Sequence, residues 1–293
     1  MCAWPLACPG AGPAGDRLLM RTVVHLSDMH FGRVDPVVAD VLRETVNDLR
    51  PDIVVVSGDF TQRARSSQFR AARTFLDLLP QPQLIVPGNH DVPLHNVLAR
   101  FFSPLRKYRR HMADDLQPSY VDEEMALIGT DTTRSFTIGG GGIRRRELRR
   151  IRNLLKDLAP SLVRILVAHH PFDEPHAGAA FGRARPGPEA VEQLAGEGID
   201  VFLTGHLHVT FAGPTAKRYN VGGRSAIVVE AGTATSTRVR GEPNAFNLLR
   251  IGHGCIAVEH LVWQATSGTF AAGEAQRFDQ TPDGWTLSGL DDQ

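Results

Sequence analysis

Five apolar segments of strand length end abruptly in polar residues that can bind a metal ion. The segments cover residues 23–26, 53–56, 84–86, 163–168 and 201–203, and they lead, in that order, into Asp28-Met29-His30, Gly58-Asp59, Gly88-Asn89-His90-Asp91, His169-His170 and Gly205-His206-Leu207-His208. In open α/β sheets, ligands bind at the carboxyl ends of the strands, where side chains far apart in sequence converge. The five junctions therefore predict one shared pocket.

Strands and helices alternate in the first half of the chain. Asp35-Pro36 places a capping carboxylate and a proline at the start of a helix that follows the first strand. Ser66 or Ser67 caps a second helix, which follows the second strand. This βαβαβ order predicts parallel strands that are joined by right-handed crossovers.

From Gly205 onward the helical period gives way to short alternating runs, which predict hairpins. These runs cover residues 219–221, 225–230, 246–251 and 255–262; strands are also expected near 124–129 and 136–138, and a helix over 145–158. A parallel first half and an antiparallel second half fit an α/β fold with four layers. We predict an αββα sandwich, in which two mixed β-sheets are flanked by helices.

The 293 residues are enough for one large core, and no segment in the middle has the composition of a linker. We expect residues 20–265 to form that domain. Residues 1–19 hold clusters of Pro and Gly, which predict a disordered extension. Residues 266–293 are polar and contain glycine, which predicts a loosely held tail.

Charge and cysteine content limit what the chain binds. Lys+Arg and Asp+Glu number 32 each, so the chain has no overall attraction for nucleic acid or an anionic membrane. No apolar run approaches the roughly 18 residues of a membrane-spanning helix. Only Cys255 lies beyond the first nineteen residues, so a metal site must use nitrogen and oxygen donors, as suits a reducing cytoplasm. We expect a cytoplasmic protein with a small substrate and no nucleic-acid or membrane partner.

Together, the order Asp-x-His, Gly-Asp, Gly-Asn-His-Asp, His-His-Pro and Gly-His-x-His resembles the signature of the calcineurin-like metallophosphoesterases, from Asp28 to His208. The resemblance implies two divalent metal ions bridged by Asp59. The other ligands that it implies are Asp28, His30 and His208 for the first ion and Asn89, His169 and His206 for the second. These imidazole, carboxylate and amide donors suit Mn, Fe or Zn.

A pair of divalent ions suits phosphoester hydrolysis. Ions about 3.5–4 Å apart acidify a shared water to a bridging hydroxide and neutralise charge on the phosphoryl oxygens. Two divalent ions carry four positive charges, and Asp28, Asp59 and one hydroxide contribute three negative charges. The net charge of the site is then about +1, which suits a diester with a single negative charge. No Lys or Arg adjoins a ligand in the five junctions, and Arg33 and Arg63 come nearest. We therefore expect diesters to be preferred over monoester dianions.

His90 follows a predicted ligand, and we expect it to point over the metals. In the family the corresponding histidine contacts the phosphate or protonates the leaving oxygen, so His90 is the candidate general acid. Asp91 is expected to hold the tautomer of His90 and to raise its pKa. His170 is expected to support the site without binding a metal. The polar loop that carries Arg238 either faces the pocket or is an ordinary hydrogen-bonded turn.

A helix is predicted over residues 96–111, and it carries Arg100, Arg106, Lys107, Arg109, Arg110 and His111. This basic helix is either a lid over the pocket or a solvated surface. Sequence alone leaves both interpretations open.

The opening Leu26-Ser27-Asp28-Met29-His30-Phe31-Gly32 and the short insert after Asp91 make the chain similar to the bacterial cyclic-nucleotide phosphodiesterase branch of the family. The same blocks also serve UDP-diacylglucosamine-type pyrophosphate hydrolases, nucleases and phosphomonoesterases. A nuclease favours a basic groove with interleaved aromatics, and a diacylglucosamine hydrolase favours an apolar lid, whereas this chain is neutral and its insert basic. Non-catalytic scaffolds related to the family usually lose ligands, and all seven ligand positions are present here.

Overall fold

The computed structural model describes residues 20–136, 139–172, 184–185, 188–215, 224–238 and 241–288. Four features of the sequence analysis lie outside these residues: the extension at 1–19, the strand at 219–221, positions 137 and 138 of the strand at 136–138, and the last residues of the tail. None of the described helices is both long and apolar enough to cross a bilayer.

The described chain begins with the predicted alternation of strands and helices. Its first elements are β1 (Arg21–Leu26), α1 (Pro36–Leu49), β2 (Ile53–Val56), α2 (Ser66–Leu76) and β3 (Gln83–Ile85). Asp35 caps α1, because its side chain accepts hydrogen bonds from the backbone N–H groups of Val37 and Val38. β2 pairs with β1 and β3, and both pairings are parallel. The predicted βαβαβ unit is confirmed.

The middle of the chain differs from prediction at one helix. Its elements are α3 (Val97–Phe102), α4 (Arg106–His111), β4 (Ser119–Val121), β5 (Met125–Gly129), β6 (Gly141–Gly142), α5 (Arg145–Asp157), β7 (Val163–Val167), β8 (Ala184–Arg185), α6 (Pro188–Gly196) and β9 (Val201–Thr204). The single helix expected over 96–111 is wrong, since α3 and α4 are separate helices with Pro104 between them. Proline lacks the N–H that a continuous helix needs and restricts the residue before it.

The last part of the chain is a run of strands. They are β10 (Phe211–Pro214), β11 (Ile227–Glu230), β12 (Ala245–Gly252), β13 (Cys255–Gln264), β14 (Thr269–Thr281) and β15 (Gly284–Leu287). β12 and β13 form the predicted hairpin. β11 instead pairs in parallel with β9 and antiparallel with β10, a strand that the sequence analysis did not predict.

The prediction of a loosely held tail after residue 265 is wrong for the described residues. β14 pairs along β13, and β15 pairs with β14, so the tail extends the sheet. Trp285 on β15 is fully buried, and its Nε1 donates a hydrogen bond to Asp200 Oδ1 across 2.8 Å. β14 has little apolar signature because most of its side chains are exposed or half-buried.

All the described strands except β6 and β8 form two mixed sheets, as predicted, and β6 and β8 pair in parallel with each other. One sheet has the strand order β15-β14-β13-β12-β1-β2-β3, and the other has the order β10-β11-β9-β7-β5-β4. The core between the sheets includes Val23 and Val55 from the first and Val167 and Leu203 from the second. Separate buried clusters cover the outer faces, with α1, α2 and α4 on the first sheet and α5 and α6 on the second. The four-layer αββα sandwich is confirmed.

Candidate metal centre

The seven predicted metal ligands come together at the carboxyl ends of strands from both sheets. Asp28 and His30 follow β1, Asp59 follows β2, Asn89 follows β3, His169 follows β7, and His206 and His208 follow β9. All of them except Asn89, which is half-buried, are buried. The two sheets therefore contribute their strand ends to one site.

Asp28, His30 and His208 form the first group of converging donor atoms. Nε2 of His208 lies 3.1 Å from both Asp28 Oδ1 and His30 Nε2. Nε2 of His30 lies 3.5 Å from the same Asp28 oxygen. These three atoms lie close enough together to coordinate one ion.

Asn89, His169 and His206 form the second group. Nε2 of His169 lies 3.0 Å from Asn89 Oδ1 and 3.3 Å from His206 Nδ1. The group therefore offers an imidazole nitrogen and an amide oxygen close to the Nε2 atom of His169.

Asp59 lies between the two groups. Its Oδ2 is 3.8 Å from His30 Nε2 of the first group, and its Oδ1 is 3.4 Å from His169 Nε2 of the second. The backbone N–H of His90 donates to Oδ1 across 2.8 Å and so helps to fix the carboxylate. Each carboxylate oxygen thus faces a different set of donors, which is the arrangement that a bridging ligand needs.

Hydrogen bonds on the far side of two of the predicted ligands direct their free lone pairs into the site. Nδ1 of His169 donates to the carbonyl of Ser57 at 2.7 Å, and Nδ1 of His208 donates to the carbonyl of Arg238 at 3.0 Å. A carbonyl only accepts, so the proton of each ring is on Nδ1 and the lone pair is on Nε2. Such support by backbone carbonyls is typical of metal-binding histidines.

Asp28 is oriented in the same way. Its Oδ2 accepts hydrogen bonds from Ser27 Oγ at 2.7 Å and from the backbone N–H of His206 at 2.8 Å. The other oxygen, Oδ1, is buried and accepts no hydrogen bond in the described chain. A buried carboxylate oxygen without a donor is costly unless a cation satisfies it. This orphaned atom and the facing histidine nitrogens fit a metal ion.

The backbone at the site is strained. Among the described residues, seven non-glycine residues have a positive φ, and five of these are Asp28, His30, Asp59, His206 and His208. Such conformations persist only where the surrounding structure enforces them, and they concentrate at functional sites. The strain coincides with the predicted ligands.

Two glycines of the junctions allow the strand ends to approach closely. A Cβ at Gly88 would lie 2.2 Å from Asp59 Oδ1, and a Cβ at Gly205 would lie 1.8 Å from Ser27 Oγ. These contacts are far shorter than real Cβ contacts. The glycines are therefore required by the packing around the two carboxylates.

Residues 21–210, most of the chain, match the calcineurin-like phosphoesterase family. The chain belongs to this family. Membership assigns it to the metal-dependent phosphoester hydrolases, in agreement with the donor groups described above.

Two proteins that are similar to this chain in sequence are described as phosphodiesterases. The glycerophosphodiester phosphodiesterase GpdQ of Enterobacter lignolyticus is 41% identical over 81 residues, which make up 24% of this chain and 29% of that protein. A probable cyclic nucleotide phosphodiesterase of Synechococcus sp. is 27% identical over 216 residues, 68% of this chain and 77% of that protein. The match to GpdQ thus spans less than a third of that protein's length.

Solved structures share the fold. A purple acid phosphatase from yellow lupin has a TM-score of 0.66 at 16% identity, with 88% of this chain and 54% of that chain covered. A dimetal phosphatase from Danio rerio has a TM-score of 0.64 at 15% identity, with 89% of this chain and 99% of that chain covered. At these identities the likeness extends to the fold alone.

His90 lies over the donor groups of this phosphoesterase. Its ring centroid is 4.8 Å from that of His30, in an edge-to-face arrangement. Nδ1 donates to the carbonyl of Gln62 across 3.0 Å, and Nε2 accepts from Nη1 of Arg238 across 3.1 Å. Burial lowers the pKa of His90, although the Asp59 carboxylate opposes this effect. His90 is therefore a neutral imidazole in this arrangement.

The expected role of Asp91 is wrong. Its carboxylate accepts hydrogen bonds from the backbone N–H groups of Phe60, Thr61 and Gly88 and from the Thr61 hydroxyl, and so joins two strand ends. The Gln62 carbonyl holds the tautomer of His90 instead. The predicted rise in the pKa of His90 is also wrong, whereas burial and the nearby Asp59 raise the pKa of Asp91 itself to about 7.

His170 is buried next to the second group. Thr132 Oγ1 lies 2.9 Å from its Nδ1, and its Nε2 has no hydrogen-bond partner in the described residues. A nitrogen of His170 also lies near nitrogens of His169 and His206, so these three residues are a further set that can hold an ion. His170 therefore lies beside the second group, and its expected supporting role stays a prediction.

Arginines lie closer to the site than the sequence analysis expected. Arg33, Arg63, Arg65 and Arg238 line one cavity of about 420 Å³ together with His90. The inference that no fixed cation stands at the phosphate position was based on neighbours in sequence, and it is wrong for Arg238, which contacts His90. Of the two interpretations of the Arg238 loop, the structure supports the one in which it faces the pocket.

Proposed function

We propose that this phosphoesterase hydrolyses small phosphodiesters, such as cyclic nucleotides, at a dinuclear metal centre. The single observation that carries the proposal is the position of Asp59, whose two carboxylate oxygens face the two separate donor groups. Asp28, His30 and His208 would hold one ion with Asp59, and Asn89, His169 and His206 would hold the other. When bound, two such ions supply Lewis-acid activation of water and of the phosphoryl group.

The choice of diesters is supported by the similar proteins, which are described as phosphodiesterases. It is also supported by His90, since a diester with a sugar alkoxide as leaving group needs a proton at the departing oxygen. Hydrolysis breaks one P–O ester bond, adds the hydroxyl of water to phosphorus and gives a proton to the leaving oxygen. We infer that His90 delivers that proton, after Arg238 has turned away from its Nε2.

His90 cannot donate from Nε2 while this atom accepts from Arg238. The guanidinium of Arg238 has to turn from His90 to a phosphoryl oxygen, which frees Nε2 to take up a proton from water. The ring is then protonated at both nitrogens, and Nε2 passes its proton to the leaving oxygen while Nδ1 keeps its own. Guanidinium groups bind phosphate through two parallel hydrogen bonds, so the exchange of partners is favourable. Gln62 keeps the ring in place through Nδ1 during this step.

The test is a comparison of metal-free and Mn-loaded protein on phosphomonoesters, phosphodiesters and pyrophosphate esters. We expect a chelator to abolish hydrolysis and Mn to restore it, with the highest kcat/KM on a diester. Metal analysis of the same samples should give about two ions per chain. Full activity without metal would overturn the dinuclear assignment, and a higher kcat/KM for a monoester would overturn the substrate class.

A second candidate is a pyrophosphate hydrolase of the UDP-diacylglucosamine type. The observation that favours it is an apolar surface on α3, where Val97, Leu98, Phe101 and Phe102 are exposed and Phe101 contacts the exposed Phe136. Leu94 and Arg100, next to this surface, line a small cavity with Asn89 and His90. An acyl chain would cover such a surface, so UDP-diacylglucosamine belongs in the substrate panel.

A further inference from the structure

The cavity beside His90 is lined by arginines that reach it from three separate loops. Arg33 follows β1, Arg63 and Arg65 follow β2, and Arg238 follows β11. Among the described residues that line it, which also include Gln62 and Gln68, there is no acidic side chain. The cavity of about 420 Å³ is within the range of small-molecule sites and is too polar for an acyl chain.

Three of these cations are not neutralised by any residue that the structure describes. In the part of the chain that the structure describes, the guanidinium groups of Arg33, Arg63 and Arg65 have no ion-pair or hydrogen-bond partner. Asp35, the carboxylate nearest to Arg33 in sequence, is occupied in capping α1. Like charges in one cavity repel one another, and an anion between them relieves that repulsion.

The loops that carry the arginines are held in place. Oε1 of Gln68 accepts hydrogen bonds from the backbone N–H groups of Arg63 and Arg65, at 2.9 and 3.5 Å. Nζ of Lys107, on α4, donates to the carbonyl of Ala64 between them. α4 thus anchors the loop that carries Arg63 and Arg65. Neither of the two interpretations of the basic residues 96–111, a lid or a solvated surface, included this role.

The first and third loops are joined to each other. The carbonyl of Arg33 accepts hydrogen bonds from both the backbone N–H and the hydroxyl of Thr237, at 2.7 and 3.0 Å. Arg238 is the next residue in the chain. A cavity that is organised before a ligand arrives binds it at a lower entropic cost.

The cavity lies beside the candidate metal centre. His90 lines it, and Arg63 also lines the smaller cavity that contains Asn89. A substrate whose scissile phosphate lies at the donor groups therefore extends past His90 toward the arginines. Arginine binds phosphate through charge-assisted, bidentate hydrogen bonds.

We propose that this arginine cavity binds a second phosphoryl group of the substrate, which is not hydrolysed, so that the preferred diesters carry an additional phosphate. The proposal rests on the phosphodiesterase function proposed above. Hydrolysis and substrate selection would then occur at different places, because the metal centre acts on one phosphate while the cavity binds the other.

The kinetic test uses two substrates with the same leaving group. These are the p-nitrophenyl ester of thymidine 5′-phosphate and the same ester with a 3′-phosphate, both assayed with Mn-loaded protein. We expect kcat/KM to be at least tenfold higher for the 3′-phosphorylated ester. In the triple variant Arg33→Gln, Arg63→Gln, Arg65→Gln this preference should fall to about one. Equal kcat/KM on both esters in the wild type, or an unchanged preference in the triple variant, would overturn the proposal.

A matched control is Arg149→Gln on α5, because Arg149 is exposed and lies outside the cavity. This variant should keep the full preference for the 3′-phosphorylated ester. Thermal unfolding of the triple variant checks that it is folded, as expected for exposed side chains whose backbone contacts are retained.

A binding experiment separates this proposal from the proposed function. Thymidine 3′,5′-bisphosphate and thymidine 5′-phosphate are titrated into wild type and triple variant by calorimetry. We expect the bisphosphate to bind at least tenfold more tightly to the wild type and about equally in the triple variant. If neither ester is hydrolysed but this difference is found, the phosphodiesterase function fails and the cavity assignment stands. If the two nucleotides bind equally to the wild type, the cavity assignment is wrong.

Discussion

Nη1 of Arg238 lies 3.1 Å from Nε2 of His90, and it donates a hydrogen bond to that nitrogen. A guanidinium has no acceptor, so Nε2 of His90 carries the lone pair while Nδ1 carries the proton toward the Gln62 carbonyl. The residue proposed as the general acid is therefore held as a neutral imidazole until Arg238 finds another partner. A phosphoryl oxygen is such a partner, which links substrate binding to the release of His90.

His90→Ala is expected to reduce kcat on a cyclic nucleotide by roughly 10²- to 10⁴-fold, the usual contribution of a general acid. On bis-p-nitrophenyl phosphate the loss should be less than about tenfold, because the aryl leaving group departs without protonation. Steady-state kinetics on both substrates measure the difference. His253→Ala, at the exposed turn between β12 and β13, is the control and should change neither rate. Equal losses on the two diesters would remove His90 from the acid role.

Asp59→Asn is expected to lower both metal content and turnover, because the amide offers only one oxygen to the two donor groups that the carboxylate faces. We expect kcat to fall by about 100-fold or more. Metal analysis of the purified variant, together with its kcat, measures both effects. Asp40→Asn, an exposed position on α1, is the matched control and should retain both metal and activity. Wild-type metal content in the Asp59 variant would contradict the bridging position.

Gly205→Ala is expected to destabilise the protein and disturb Asp28. The added Cβ would lie 1.8 Å from Ser27 Oγ and 2.7 Å from Asp28 Oδ2, so one of the strand ends has to move. Overpacking of this kind costs about 1–3 kcal/mol of unfolding free energy. Denaturant unfolding measures the loss.

Gly196→Ala is the control for this substitution. Its Cβ would have no neighbour within 4 Å, and Gly196 is exposed at the end of α6. We expect no loss, or a gain of up to about 1 kcal/mol from the reduced entropy of the unfolded chain. Equal stability of the two alanine variants would show that the strand end at Gly205 yields without cost.

The buried His25 predicts a dependence of stability on pH. Its ring contacts Ser57 Oγ at 2.9 Å and Asn247 Nδ2 at 3.3 Å, and burial lowers its pKa to about 3. The folded state thus keeps His25 neutral, whereas the unfolded chain takes up a proton near pH 6.5. Its contribution to stability is complete above that pH and is lost as the pH falls toward 3.

Between pH 8 and pH 5 this one residue should remove about 2 kcal/mol of unfolding free energy. Denaturant unfolding of wild type and His25→Gln at both pH values isolates the effect, since glutamine does not titrate. The variant is expected to be less stable at pH 8 but to lose about 2 kcal/mol less on acidification. Parallel pH dependences would show that His25 is protonated in the folded state.

The sequence by itself determined the fold class and the seven residues that converge at the site. Each of these residues follows an apolar strand directly, and the carboxyl ends of parallel strands share one edge. The position of each residue directly after a strand was therefore enough to predict that Asp28, Asp59 and His169 lie close together. The sequence also determined the βαβαβ unit, because the Asp35 cap and the apolar periodicity are local signals. The predicted cap of α2 at Ser66 or Ser67 is wrong, since Arg65 occupies the capping position and Ser66 is the first residue of the helix.

Only the tertiary structure decided what surrounds these residues. Arg238 reaches His90 from a position 148 residues away, and the Gln62 carbonyl replaces Asp91 as the partner of that ring. The strand β14 was missed because a mostly exposed strand has no clear apolar alternation. Side chains on loops meet through the packing of distant elements, and no spacing along the chain encodes which of them share a cavity. The seven converging residues could be predicted from the sequence for that reason, whereas the cavity that Arg33, Arg63, Arg65 and Arg238 share could not.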